Sequence, residues 1–124
     1  MTRGLATEVE SLHITVDGGE ERAFVRLFGR LGIDSSPTLR DRLLAMLREQ
    51  PPKTIIVDLT EVSRLDASGI ATLLEALKVA RHRQSTLCLK GLQGRMLRLF
   101  EVMGLLTLFE TTGCSGISPG IEGN

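Results

Sequence analysis

The pattern of apolar residues in the middle of the chain predicts a strand followed by a helix. Residues 55–59, Ile-Ile-Val-Asp-Leu, form a short apolar run that is typical of a buried parallel strand and too short for a helix. After a polar turn, apolar side chains recur at Ile70, Leu73, Leu74 and Leu77. This i, i+3, i+4, i+7 spacing puts them on one face of a helix that can pack back onto the sheet.

The same periodicities predict further strands and helices on both sides of this unit. Alternating apolar residues over 12–16 and 22–31 indicate two strands joined by a hairpin, with the turn at Asp17-Gly18-Gly19-Glu20. The remaining predicted elements are helices over 37–50, 68–82 and 95–103, and strands over 54–59, 86–90 and 106–110. Ser36 is the expected N-cap of the first helix and Pro37 its first residue.

This order, ββαβαβαβ, predicts an α/β fold with a mixed, mostly parallel sheet of about five strands and helices packed against it. We expect one domain over residues 1–110, beginning with ten residues of mixed character that are frayed at their start. Residues 111–124 contain four glycines, two serines and a proline, and are expected to form a flexible tail.

Composition narrows the classes of function. Fifteen basic and fifteen acidic residues cancel, so charge gives no reason to expect binding to nucleic acid or to a membrane surface. No apolar run approaches the roughly 20 residues that span a bilayer, and the start, Met1-Thr2-Arg3, lacks the apolar core of a signal peptide. The two cysteines, Cys88 and Cys114, are expected to be reduced thiols, and the protein is expected to be cytoplasmic.

Residues with catalytic chemistry are sparse. His13 and His82 have no neighbours that suggest a triad or a metal site, and no phosphate-binding glycine motif follows a strand. Asp58 and Asp66 follow a predicted strand, where α/β proteins often bind ligands, but two carboxylates alone are a weak metal signal. We therefore expect no metal, no cofactor and no catalysis, and an enzyme acting through these two aspartates is the least favoured hypothesis.

Residues 66–69, Asp-Ala-Ser-Gly, are the most informative segment and are called the DASG segment below. Its one hydroxyl, on Ser68, lies at a predicted helix N-terminus, where unpaired N–H groups and the helix dipole tolerate a phosphate. Phosphorylation there would add roughly −1.5 to −2 charges. The alternative is that Ser68 or Asp66 merely caps the helix, and spacing alone favours that alternative.

Three segments together resemble the STAS domain family, the fold of anti-sigma factor antagonists. Residues 25–31, Val-Arg-Leu-Phe-Gly-Arg-Leu, are similar to the family's second strand and lead into its first helix. Residues 56–59 and 65–70 resemble its signature strand and loop, and residues 99–105, Leu-Phe-Glu-Val-Met-Gly-Leu, its closing helix end. The resemblance covers about residues 12–110, and only the three segments together are specific.

The resemblance implies a non-enzymatic module that binds an anti-sigma factor serine kinase, is phosphorylated by it at Ser68, and is then released. It implies a monomer or weak homodimer with no cofactor. The residues it implies for partner binding are Asp66, Ala67, Ser68, Gly69, Ile70 and Thr72.

The chain departs from the family pattern at two positions. Gly32 stands where the family often has an acidic residue near the phospho-acceptor, and Ala67 replaces the first hydroxyl of the signature loop. STAS subunits of lipid-transport ABC systems tend to carry that first hydroxyl, so a hydroxyl at Ser68 alone favours the kinase-regulated type. The alternative is a STAS accessory subunit that docks on an ABC permease and its ATPase through basic residues at Lys78, Arg81, Arg95 and Arg98.

Overall fold

The computed structural model describes residues 6–9 and 12–110. Nine elements follow one another in the order βββαβαβαα. They are β1 (Ala6–Val9), β2 (Leu12–Gly18), β3 (Arg22–Leu31), α1 (Ser36–Arg48), β4 (Thr54–Leu65), α2 (Ala67–His82), β5 (Thr86–Lys90), α3 (Gly94–Val102) and α4 (Leu105–Glu110).

The strands form one mixed sheet in the order β1-β2-β3-β4-β5. The first three strands pair antiparallel, as the predicted hairpin requires, and β3, β4 and β5 pair parallel. The helices α1 and α2 make the two parallel crossovers, so the carboxyl ends of β3 and β4 meet at one edge of the sheet. The mixed α/β sheet of about five strands is confirmed, with two antiparallel and two parallel pairings.

Strand alternation divides the sheet into a covered and an open face. In β3 the side chains of Val25 and Leu27 are fully buried, while Arg26 and Phe28 between and beyond them are exposed. The buried set packs with the apolar stripes of the helices into one continuous core. Helices α1 and α2 lie side by side, and Arg40 on α1 donates two hydrogen bonds, at 2.7 and 2.9 Å, to the carboxylate of Glu75 on α2.

The central strand is longer than the predicted 54–59. It continues to Leu65. Beyond Asp58, the last residue paired with β5, β3 is its one partner among the described strands. Residues 60–65 are mostly polar and exposed, and only Val62 among them is buried, so the apolar pattern that identified the first half of the strand is weak there. The DASG segment therefore lies at the end of a projecting strand.

Two predictions at the ends of the domain are wrong. The predicted strand 106–110 is the helix α4, because Leu105 and Phe109, one helical turn apart, both enter the core. The ring of Phe109 lies 6.1 Å from that of Phe100 on α3. At the other end, where the sequence predicted no strand before residue 12, Ala6–Val9 form strand β1 along β2.

The start of α1 and the state of one cysteine also differ from prediction. Helix α1 has Ser35, not Ser36, as its N-cap; the hydroxyl of Ser35 donates to the carbonyl of Arg30 and accepts from the N–H of Gly32, tying the β3–α1 loop together. Cys88 is disulfide-bonded rather than a free thiol. Cys114 and the predicted tail lie outside the described residues.

Candidate functional site

The DASG segment begins where β4 ends, beside the end of β3. Leu65 pairs with Leu31, and the N–H of Asp66 donates to the carbonyl of Leu31 at 3.3 Å. Helix α2 then starts at Ala67. Its first turn is thus anchored to two neighbouring strands, which fixes the position of Ser68 relative to the sheet.

Asp66 is the N-cap of α2, and its side chain holds the first turn. Its Oδ1 accepts hydrogen bonds from the backbone N–H groups of Ser68 at 2.9 Å and Gly69 at 3.3 Å. The same oxygen accepts the hydroxyl of Ser68 at 2.6 Å. Ser68 is therefore a donor to the cap rather than the cap itself, which decides between the two capping residues that the sequence left open.

These hydrogen bonds stabilise the ionised carboxylate. They lower the pKa of Asp66 below its usual value of 3.8, chiefly through the Ser68 hydroxyl, while partial loss of solvent acts in the opposite direction. The backbone N–H groups of Gly69, Ser68 and Ile33 add to the lowering. A fixed negative charge consequently lies against the hydroxyl of Ser68 at neutral pH.

Two glycines let the chain approach itself closely here. A Cβ on Gly32 would lie 2.8 Å from Oδ2 of Asp66, so the missing side chain leaves room for the capping carboxylate. A Cβ on Gly69 would lie 2.7–2.9 Å from Leu65 Cδ1, Leu31 Cγ and the Leu31 carbonyl oxygen. The resemblance leads one to expect an acidic residue at position 32. Gly32 instead contributes to the site by leaving space for the Asp66 carboxylate.

The structure separates the six residues predicted to bind a partner into two groups. Asp66 and Ala67 are exposed and Ser68 is half-buried, so these three share one surface. Gly69 is buried, and the side chains of Ile70 and Thr72 are only 3% and 7% exposed. The side chains of Ile70 and Thr72 are thus on the buried side of α2, and we infer that they stabilise its first turn by packing.

The sequence missed the residues that adjoin Asp66 from the β3–α1 loop and from β4. Ile33 is a large apolar side chain in the β3–α1 loop and is 74% exposed. A shallow cavity of about 200 Å³ is lined by Arg30, Ile33, Asp34, Arg64 and Asp66, among others. The pairing of β3 with β4 creates this cluster, and only the strand order, not a local motif, could have predicted it.

The other candidate chemistry is not assembled into a site. Asp58 Oδ1 accepts hydrogen bonds from both the N–H and the hydroxyl of Thr60, two residues along the chain. These local bonds account for the position of the Asp58 carboxylate. His13 lies in β2 with its ring 5.7 Å from that of Phe28, and His82 ends α2 on the surface. Within residues 6–9 and 12–110 no three His, Cys, Asp or Glu side chains are grouped to hold a metal ion.

None of the helices in the described part of the chain is both long enough and apolar enough to cross a bilayer.

Comparison with known proteins agrees with this architecture. The family model described as "Mlab, STAS domain" matches residues 14–110. An anti-sigma-B factor antagonist of Listeria monocytogenes is 45% identical over 64 residues, which are 52% of this chain and 56% of that protein. The chain thus aligns with little more than half the length of this relative.

Two solved structures share the fold. The anti-sigma factor antagonist SpoIIAA in its unphosphorylated form has a TM-score of 0.68 at 20% identity, over 74% of this chain and 81% of that one. The Bacillus cell fate determinant SpoIIAA in the phosphorylated form has a TM-score of 0.64 at 21% identity, over 76% and 86%. Because the family model spans most of the chain, the protein belongs to the STAS domain family.

Proposed function

We propose that this protein is a cytoplasmic anti-sigma factor antagonist: it binds an anti-sigma factor serine kinase through the DASG surface, and phosphorylation of Ser68 releases it. The observation that carries the proposal is the Ser68 hydroxyl at the N-terminus of α2, hydrogen-bonded to Asp66. The Listeria relative, named as an anti-sigma-B factor antagonist, and the phosphorylated SpoIIAA structure support it. We expect no catalytic activity and no cofactor.

The geometry explains how a phosphate would act. Phosphorylation removes the hydroxyl hydrogen that Ser68 donates to Asp66 at 2.6 Å and replaces it with a dianionic group. That group would lie beside a carboxylate that stays ionised, so the two repel each other, and the first turn of α2 must rearrange. A partner seated on this surface would also have to desolvate the added charge.

The proposed contact surface consists of residues that the structure exposes. Asp66 and Ala67 lie on it with Ser68, and the exposed Ile33 supplies an apolar anchor beside them. A buried aromatic or aliphatic anchor ringed by polar groups is the usual composition of a strong protein interface. Ile70 and Thr72 act indirectly, by fixing the turn from the interior.

A pull-down from native extract tests the proposal, with wild type, Ser68→Asp, Ser68→Ala and Thr107→Asp as baits. Thr107 is exposed on α4 and controls for an added charge elsewhere on the surface. We expect wild type, Ser68→Ala and Thr107→Asp to recover a kinase of the anti-sigma type and Ser68→Asp to lose it. The recovered kinase should phosphorylate wild type but not Ser68→Ala. Equal recovery by Ser68→Asp would refute the switch.

The second candidate is an accessory subunit of an ABC transporter. The exposed cations Lys78, Arg95 and Arg98 support it, since they offer a basic surface to a permease or ATPase. Arg81 is also exposed, but its guanidinium donates to the carbonyl of Leu108. Recovery of a permease and its ATPase, unaffected by Ser68→Asp, would establish this candidate in place of the first.

A further inference from the structure

A groove runs along the projecting half of β4, beside the DASG segment. Pairing of β4 with β5 ends at Asp58 and Lys90, so no strand of residues 6–9 or 12–110 lies next to residues 60–65 on that edge. Helix α3 passes alongside, and the space between it and residues 63–65 is a groove of about 600 Å³. The volume falls within the range of sites that hold a ligand or a partner's side chains.

The helix presents a mixed apolar and cationic face to this groove. Arg95, Arg98, Leu99 and Val102 all line it. They follow the i, i+3, i+4, i+7 spacing of one helix face. Val102 is 79% exposed, so the apolar part of this face is open to solvent.

Among the described residues, the charged side chains that line the groove are all positive. They are Arg64, Arg95 and Arg98, and no carboxylate from the described part of the chain joins them. All three side chains are exposed, and in the described part of the chain no hydrogen bond or ion pair engages their guanidinium groups. Three cations around one groove, with no carboxylate of the described residues among its lining, attract an acidic ligand.

The groove is continuous with the site of Ser68. Leu65 lines it, and Cδ1 of Leu65 lies 2.7 Å from the position of a Cβ on Gly69, the residue after Ser68. Arg64 lines both the groove and the cavity that contains Asp66. A partner that covers Asp66 would therefore also meet Arg64 at the edge of the groove.

We propose that this groove binds an acidic amphipathic helix of the protein partner. The apolar side chains of that helix would pack against Leu99 and Val102, and its carboxylates would pair with the three arginines. The assignment of this helix to the kinase rests on the function proposed above. The groove's preference for an acidic helix is independent of that function. Helix-in-groove recognition uses this combination of an apolar stripe and flanking charges. Anionic lipid is less well matched, because lipid-binding clusters usually gather about four to eight basic residues on one exposed face.

The sign of the charge agrees with the proposed switch. A phosphate on Ser68 adds negative charge beside Asp66, which lines a cavity together with Arg64. An acidic partner helix would be repelled by it, and the phosphate would compete with the helix for the same guanidinium group. Phosphorylation would then weaken both halves of one continuous interface.

A peptide probe tests the groove without the natural partner. The probe is a fluorescent helical peptide of about 16 residues, four to five turns, with leucines at i, i+3, i+4 and i+7 and glutamates flanking them. The comparison peptide has lysine in place of each glutamate. Titration followed by amide NMR should localise the acidic peptide to α3 and residues 63–65, with binding that weakens as salt is added. Tighter binding of the lysine peptide, or shifts confined to another surface, would overturn the proposal.

Charge-reversal variants test the role of the arginines, with a matched reversal elsewhere as the control. Arg95→Glu together with Arg98→Glu should weaken binding of the acidic peptide by about tenfold or more. Arg22→Glu, at the other end of β3, should leave the affinity unchanged. Vesicles containing phosphatidylglycerol form a further arm: if they bind the wild type through these arginines and the acidic peptide does not, the groove is a lipid site and the proposal fails.

Binding of the variants to the kinase recovered with wild type distinguishes failure of this inference from failure of the proposed function. If Ser68→Asp abolishes kinase binding and the double arginine variant keeps full affinity, the switch stands and the groove is not part of the interface. If no kinase is recovered at all, the proposed function fails, and the peptide titration still decides whether the groove selects an acidic helix.

Discussion

The carboxylate of Asp66 accepts the hydroxyl hydrogen of Ser68 at 2.6 Å while the same oxygen caps the backbone of α2. The residue proposed to receive a phosphate is thereby bonded to the residue that holds the helix start. A modification of Ser68 must alter the cap, and a change in the cap must alter the position of Ser68. This coupling leads to predictions about stability, charge and packing around the DASG segment.

Replacing the cap should destabilise the protein in a pH-dependent way. We expect Asp66→Ala to lower the free energy of unfolding by about 1 kcal/mol at pH 7, because two N–H groups lose their acceptor. The pKa of Asp66 is lowered in the folded state, so its contribution is present above the unfolded value of 3.8 and is lost as pH falls through the folded value. Urea unfolding at a series of pH values measures both effects.

Asp66→Asn is the control for that prediction, because asparagine caps a helix nearly as well as aspartate but carries no charge. Its stability should stay close to that of wild type at neutral pH, and the part of the acid dependence that belongs to residue 66 should be absent. An Asp66→Ala variant as stable as wild type at pH 7 would contradict the cap assignment.

An acidic residue at position 32 should disturb the Asp66 carboxylate. A Cβ there would lie 2.8 Å from Oδ2, and Gly32→Asp would add a like charge close by. We therefore expect the pKa of Asp66 to rise, since repulsion between carboxylates disfavours the ionised form. Carbon-detected NMR titration of the side-chain carboxyl reads the pKa directly. Gly32→Asn separates bulk from charge, and an unchanged Asp66 pKa in Gly32→Asp would show that the two side chains avoid each other.

Gly69 should tolerate no side chain. Gly69→Ala places a methyl group within 3 Å of Leu31 and Leu65, including the backbone carbonyl of Leu31, which cannot move independently of β3. We expect a loss of about 1–3 kcal/mol in thermal or chemical unfolding, despite the higher helix propensity of alanine. Gly19→Ala in the β2–β3 turn has no atom within 4 Å of the new methyl and serves as the matched substitution. Equal stability of the two variants would contradict the close approach.

Two leucines one helical turn of α2 apart should differ in their contribution to stability. Leu77 is 2% exposed, whereas Leu74 is only partly buried against the core. Leu77→Ala should cost roughly 2–5 kcal/mol through the cavity it leaves, and Leu74→Ala clearly less, because solvent can occupy part of the vacated space. Urea midpoints of the two variants decide the order, and the reverse order would mean that the helix face is assigned wrongly.

The sequence determined the elements whose signals are local. The apolar run at 55–59 and the helical spacing from Ile70 to Leu77 placed the central βα unit correctly, since period and burial agree over several residues. The hairpin at residues 17–20 followed from turn chemistry in the same way. The short segment 106–110 failed, because five residues are too few to distinguish the helical period from the strand period. The burial of Leu105 and Phe109, one turn apart, fits the helix that the structure shows.

At the site, the sequence by itself determined that one hydroxyl, on Ser68, follows a buried strand at the start of a helix. Only the tertiary structure decided the rest. It made Asp66 the cap, turned Ile70 and Thr72 into the core, and set Gly32 against the Asp66 carboxylate. It also put Arg64 beside Arg95 and Arg98. These relations join residues from different elements, so they depend on strand order and on where β5 ends, which no local periodicity encodes.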